Sequence, residues 1–181
     1  MVVSELKKRH FGRLFVKRGL TKKQTSQLVF YSRTDKEIKH NTSDFYRFSD
    51  IKKVESWLAL RRVVYTLTDK PGNLLGIIWF GLKKIPLPSK TKIDASKHKV
   101  TFAIRLYDRA RGKRLAGKFM KQCFSDYIES RQYQKMEKPK FWLEVSFDNT
   151  PAIKLYRRFG FRKVTKPNKN GKIIMVLNPI Q

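Results

Sequence analysis

At 181 residues the chain has the size of one ordinary domain, 1–181, with enough material to bury a core without disulfides or structural metal. A content of 40% hydrophobic and 13% aromatic residues excludes a disordered polycation, even though 42 Lys+Arg against 14 Asp+Glu leave a net charge of +28. The single cysteine, Cys123, excludes an internal disulfide framework and a cysteine-rich zinc site, and it suits a reduced, cytoplasmic setting and a buried place on a helix.

Residues 1–14 read as a basic N-terminal extension without the apolar core and small-residue cleavage site of a secretory signal. No apolar run approaches the length of a membrane span, which argues against a membrane partner. Phe11 to Arg18 is rich enough in apolar residues to pair as a strand, and Thr21-Lys-Lys-Gln24 has the form of a capping box that opens a helix. A second helix is expected from Ser43, because Phe45, Phe48, Ile51, Val54 and Leu58 recur at spacings of three to four. The period then changes. Arg62 to Thr68 and Leu74 to Phe80 are β-prone runs separated by Asp69-Lys-Pro-Gly-Asn73, which predicts a hairpin. Lys83 to Lys99, with two prolines and a marked excess of lysine, reads as a long basic loop.

Val100 to Tyr107 is predicted as a strand that runs into a basic, glycine-containing turn and a helix bearing Leu115, Phe119, Cys123 and Tyr127 on its apolar side. Lys140 to Phe147 supplies the next strand, Asn149-Thr150 a helix cap, and Pro151 to Arg158 a short helix stopped at Gly160. Phe161 to Lys166 and Lys172 to Leu177 close the chain as a hairpin. The order β-α-α-β-β-β-α-β-α-β-β predicts a single-domain α/β fold: a mixed, mostly antiparallel sheet with a central parallel strand pair, flanked by helices.

A strand, a glycine-containing turn and a helix start together turn free backbone N–H groups and the positive end of a helix dipole toward an anion. Here that turn carries Arg109, Arg111, Lys113 and Arg114, with Lys118 and Lys121 following, so a ligand with several phosphates is favoured; a solvated cationic helix face is the plainer alternative.

Arg111-Gly-Lys-Arg-Leu-Ala116 in this position, followed by Asn149, Ala152, Leu155-Tyr156 and Gly160-Phe161, resembles the GNAT superfamily of acetyl-CoA-dependent N-acetyltransferases. In that family a turn of pattern Q/R-x-x-G-x-G/A binds the pyrophosphate of the coenzyme. The resemblance therefore implies acetyl-CoA as cosubstrate, no metal, and cofactor contacts from Arg111, Gly112, Lys113, Arg114, Leu115 and Ala116, with Asn149 and Ala152 from the second block. Arg114 departs from the pattern, which has glycine there. The segment Leu143-Glu-Val through Tyr156 is similar to the branch that acetylates the N-termini of ribosomal proteins.

By the same resemblance Glu144 is the general base and Tyr156 the general acid, and backbone N–H groups at Ile104 and Leu106 polarise the thioester carbonyl. The plainer readings are a glutamate paired with one of many cations, a helix tyrosine packed on the sheet, and two core aliphatics. Asn149 is explained by capping alone. Tyr107 and Asp108 are reserve candidates, and His10, His40 and His98 have no metal-ligand spacing.

The cosubstrate needs only a few cations, so most of the charge points elsewhere. A strong positive field repels polyamines and basic peptides and draws in nucleic acid. The acceptor expected from the resemblance and the charge is a protein N-terminus, a lysine or an RNA-linked amine, with RNA, tRNA or ribosome association through the N-terminal segment, the Lys83 to Lys99 loop and Lys163 to Lys172. The rival is a basic RNA-binding or ribosome-binding module on a catalytically inactive acetyltransferase fold, with Tyr31, Tyr46 or Tyr133 as stacking platforms.

Overall fold

The computed structural model describes residues 10–11, 13–60, 62–88, 91–136 and 139–177. Residues 1–9 and 12 of the basic extension lie outside the described residues. The strands are β1 (His10–Phe11), β2 (Leu14–Arg18), β3 (Val63–Thr68), β4 (Leu74–Leu82), β5 (Val100–Leu106), β6 (Phe141–Ser146), β7 (Phe161–Lys163) and β8 (Lys172–Leu177). They form one mixed sheet in the order β1-β2-β3-β4-β5-β6-β8-β7. Its parallel pair is β5 with β6, and β1–β2, β2–β3, β6–β8 and β7–β8 are antiparallel. This is the α/β architecture expected from the element order. Among the described residues, no helix is long and apolar enough to cross a membrane.

The chain divides into two compact units, residues 1–79 with 104–123 and residues 80–103 with 124–181. The first contains helices α1 (Lys22–Thr34), α2 (Lys36–Asn41), α3 (Asp44–Arg47) and α4 (Ile51–Ala59). Both arms of the Thr21–Gln24 capping box form, as the sequence predicts. The single helix expected from Ser43 is instead two, because Asp50 accepts from Lys53 N and starts α4 afresh after Phe48 has turned into the core. Helix α2 escaped the periodicity reading; its six residues include one buried side chain, Ile38, and Asp35 caps it. The β3–β4 turn is held by Asp69, which accepts from Asn73 N at 2.7 Å and Nδ2 at 2.9 Å, with Gly72 at φ +80°. All of β3 is buried, Thr66 and Thr68 included.

The second unit contains the short helix α6 (Arg131–Gln134) and α7 (Thr150–Arg158). Its core is aromatic: Phe80 stacks on Tyr127 at 4.2 Å, and Phe102 and Phe141 each meet Phe124 within 5 Å. The basic loop after β4 is pinned. Ile85 joins Trp142, Ile174 and Val176 in a buried cluster with Leu87, Ile93 and Ala95 against it, and Trp142 Nε1 donates to Lys83 O. Lysines 83, 84, 92, 97 and 99 stand outward between these anchors. Helix α5 (Leu115–Glu129) contributes to both units and buries Phe119, Cys123 and Tyr127, as the pattern predicts.

Candidate active site

Strand β5 leads into one 3-10 turn, Asp108–Ala110, and α5 starts five residues later. The strand lies close against β4 because Gly76 has no side chain: a Cβ there would come within 2.6 Å of Leu106 Cδ2 and 2.9 Å of the Arg105 carbonyl oxygen. Tyr107 N donates to Leu75 O, extending the approach. The turn then passes through two left-handed residues, Gly112 at φ +72° and Arg114 at φ +55°. Glycine adopts that conformation freely, whereas an arginine there is held at an energetic cost. The backbone thus explains why the family pattern has glycine at this position.

Arg114 also stands immediately before α5, in the N-cap position, and a guanidinium has no acceptor atom with which to cap. The first-turn N–H groups of α5 lack intrahelical acceptors by geometry, and Lys113, Arg114 and Lys118 are exposed around them. Such a cradle suits a pyrophosphate. Arg111 is engaged elsewhere: its Nη2 pairs with the Asp35 carboxylate in a short contact, and its Nε donates to Leu106 O at 2.9 Å. Arg105 likewise donates to Ile104 O at 3.0 Å, so the carbonyls of both candidate oxyanion residues are held by arginines.

In the second unit the parallel ladder registers Val100 with Phe141 and Thr101 with Trp142; among the described residues it does not extend to Phe102 and Ala103, although both strands continue. Glu144 lies on β6 opposite Ile174 of β8, its side chain 34% exposed and 3.8 Å from Lys83 Nζ. That is a loose, solvated ion pair. Asn149 Oδ1 accepts from Ala152 N at 3.1 Å, so the capping role and the place of Ala152 are one feature. Tyr156 is buried at 6% exposure, edge-on to Phe102 at 5.8 Å and to Phe161 at 6.0 Å.

Tyr107 is buried and stacked on Tyr31 at 4.5 Å; burial above all pushes its hydroxyl well above 10 and makes it a poor proton donor. Asp108 is exposed in the turn. His98 is buried with Nδ1 on Asp94 O at 2.9 Å, and desolvation leads the causes that lower its pKa. His40 is exposed, and the side chain of His10 lies outside the described residues. Among the described residues no group of His, Cys, Asp or Glu side chains could hold a metal.

One cluster in the first unit escaped sequence reasoning, since its members are 61 residues apart. The Asp44 side chain, 1% exposed, receives Arg105 Nε at 2.7 Å and Nη2 at 3.3 Å, and Arg47 Nη1 at 2.9 Å. The guanidinium carbons of Arg105 and Arg47 lie 4.9 and 5.9 Å from the Trp79 ring centre, and that of Arg62 lies 5.0 Å from Trp57. A run of charge within a predicted amphipathic helix and a lone arginine in a strand were the only signals.

Comparison with known proteins fits this geometry. A solved spermidine N-acetyltransferase from Vibrio cholerae, in complex with CoA and spermine, is similar at 14% identity over 91% of this chain and 93% of that one, with a TM-score of 0.64. The GNAT domain of S. lividans PAT matches at 18% identity over 92% and 90% of the two chains, TM-score 0.62. An N-acetyltransferase from Staphylococcus aureus Mu50 matches at 17% identity over 90% and 98%, TM-score 0.63. At these identities the likeness shows the fold. A search of curated proteins finds no match. The profile described as "Acetyltransferase (GNAT) family" matches residues 28–161, and on that match the chain belongs to the GNAT family of acetyltransferases.

Proposed function

We propose that the protein moves an acetyl group from acetyl-CoA to a primary amine by direct attack in a ternary complex, the acceptor being a protein N-terminus, a lysine or an RNA-linked amine. The observation that carries the reading is the start of α5, where Gly112 and Arg114 turn left-handed and Arg114, the residue before the helix, carries no acceptor atom. Acetyl-CoA supplies the activated acyl thioester. The N–H groups at Ile104 and Leu106 donate to its carbonyl, and Arg105 and Arg111 hold the carbonyl oxygens of the same two residues, on the peptides that follow those N–H groups. The exposed Lys113 and Arg114 add charge to the N–H groups that receive the pyrophosphate. Arg111 then acts by positioning more than by touching phosphate.

Glu144 takes a proton from the acceptor ammonium, directly or through a water, in competition with Lys83 for the same carboxylate. Tyr156 gives a proton to the departing sulfur, and its burial among Phe102 and Phe161 excludes solvent from that transfer. The Glu-to-Tyr spacing is what favours the ribosomal-protein branch within the family.

A second reading, a basic RNA-binding module, draws on Tyr46. Of the three tyrosines considered as stacking platforms, Tyr31 is stacked on Tyr107 and Tyr133 on Phe141, whereas Tyr46 is 74% exposed beside Phe45, over which Lys39 sits at 5.3 Å. Calorimetric titration with acetyl-CoA at low and moderate salt, with ATP as control, separates the two. Saturable one-to-one binding that survives salt and exceeds ATP is expected. Binding no better than ATP and lost with salt defeats the enzyme reading, and RNA affinity is then measured on the same protein.

A further inference from the structure

Of the arginines around Trp57 and Trp79, Arg62 carries a charge that no described carboxylate neutralises. Arg47 and Arg105 share the single carboxylate of Asp44, and among the described residues no carboxylate lies within ion-pair distance of Arg62, which donates through Nη1 to Trp57 O at 2.8 Å. Asp44 answers the charge of Arg47, whereas Arg62 has no carboxylate among the described residues, so a positive charge stands beside the buried Trp57 and Trp79, which pack edge-on at 5.3 Å. Burial lowers the pKa of both Arg47 and Arg62, and each feels a neighbouring guanidinium as well. Such an arrangement is stabilised by an anion. The donors remain for one: a guanidinium has five N–H groups, and the contacts to Asp44 and Ser43 use two of Arg47's while Trp57 O uses one of Arg62's.

We infer that Arg47 and Arg62 receive an anionic group, a phosphate or a carboxylate, carried by the acceptor amine. This rests on the acetyltransferase reading, because the link to the reacting centre is Arg105, which joins the cluster through Asp44 and holds the carbonyl of Ile104 on the same strand. Paired planar donors over an aromatic face fit a carboxylate or phosphate in bidentate fashion. The same charges repel a polycation, and they favour the neutral form of a nearby amine, which is the form that attacks. The acceptor class is thus an amine with an anion close by, and not a polyamine.

Two measurements test it. In the first, tryptophan fluorescence of the whole chain is followed during titration with inorganic phosphate and with sodium acetate, against sodium chloride at matched ionic strength. A saturable response to phosphate or acetate that chloride does not give is expected, weakened at least tenfold in Arg62→Gln and largely kept in Arg62→Lys, with thermal midpoints of both variants close to the parent. A response no different from chloride, or unchanged in Arg62→Gln, overturns the site. Phosphate tighter than acetate assigns a phosphorylated acceptor, and the reverse order assigns an amino-acid or peptide carboxylate.

In the second, CoA release is compared for phosphoethanolamine, β-alanine, propylamine and spermidine. A preference of at least tenfold in kcat/KM for an anionic amine, lost in Arg62→Gln, is expected. Acetylation of spermidine ahead of the anionic amines overturns the inference and leaves the enzyme standing. Anion binding without acetyl-CoA binding does the opposite: the site stands and the acetyltransferase reading falls, taking with it the assignment to an acceptor.

Discussion

Two helices follow the two parallel strands, and they begin in opposite ways. Helix α7 is closed by its own chain, with the Asn149 side chain on Ala152 N and Pro151 in its first turn. Helix α5 starts from a left-handed arginine that has nothing to accept with. A capped start satisfies itself, and its residues are explained by stability. A start whose N-cap side chain has no acceptor, set among exposed cations, suits an anion at its donors. The difference teaches that an asparagine in a family pattern and a basic turn in a family pattern deserve different first guesses, the one structural and the other ligand-directed.

The sharpest way to break that contrast is at the far end of α7. Replacing Tyr156 with Phe is expected to lower kcat about 100-fold while leaving acetyl-CoA affinity within about twofold, read by steady-state kinetics beside calorimetry. Loss of folding or of binding instead would assign the hydroxyl to structure. Next comes Asp35→Ala, which strips the partner from a partly buried Arg111 and is expected to destabilise the protein by about 2 to 3 kcal/mol in urea unfolding. Cosubstrate affinity is expected to fall as well, since Leu106 loses a fixed anchor.

Asn149→Ala removes the α7 cap and is expected to cost about 1 kcal/mol by the same measurement, with little change in cosubstrate affinity. Arg114→Gly works the other way. It relieves a left-handed side chain at some expense in unfolded-state entropy, for a net gain of about 0.5 kcal/mol, and salt dependence of acetyl-CoA binding should become shallower.

The smallest effect concerns His98, whose pKa is lowered in the folded chain below its ordinary 6.5, with desolvation the leading cause. The folded state therefore prefers the neutral ring. Its contribution is fully present above pH 6.5 and is lost as pH falls through the lower folded pKa. Thermal midpoints measured between pH 8 and 5 should decline less in His98→Gln than in the parent.

The strands were largely legible because they obey local rules: buried runs, a Pro-Gly turn, a capping box with both arms. Even the left-handed turn was signalled by a mismatch, the arginine where glycine is usual. What the sequence hid was helix breaking and long-range charge. The Ser43 to Leu58 stretch keeps a helical period across the break, and only the Asp50 and Lys53 spacing marks the new start. The strand expected over Phe11 to Arg18 also divides, since β1 and β2 pair His10 with Phe15 and Phe11 with Leu14. The Asp44 and Arg105 contact spans 61 residues, and no period can foretell it. Arg111 was legible as a cation of the turn but not as the partner of Asp35, 76 residues earlier.

Gly76 has a further consequence for anyone who reads this protein by mutation. Any side chain there meets the Arg105 carbonyl and Leu106 at distances that atoms do not share, so the strand carrying Ile104 must retreat. A saturation library scored for acetylation would rank this silent residue with the groups proposed to move protons. Activity maps alone would mistake a spacer for a catalyst, and only a paired abundance screen would tell them apart.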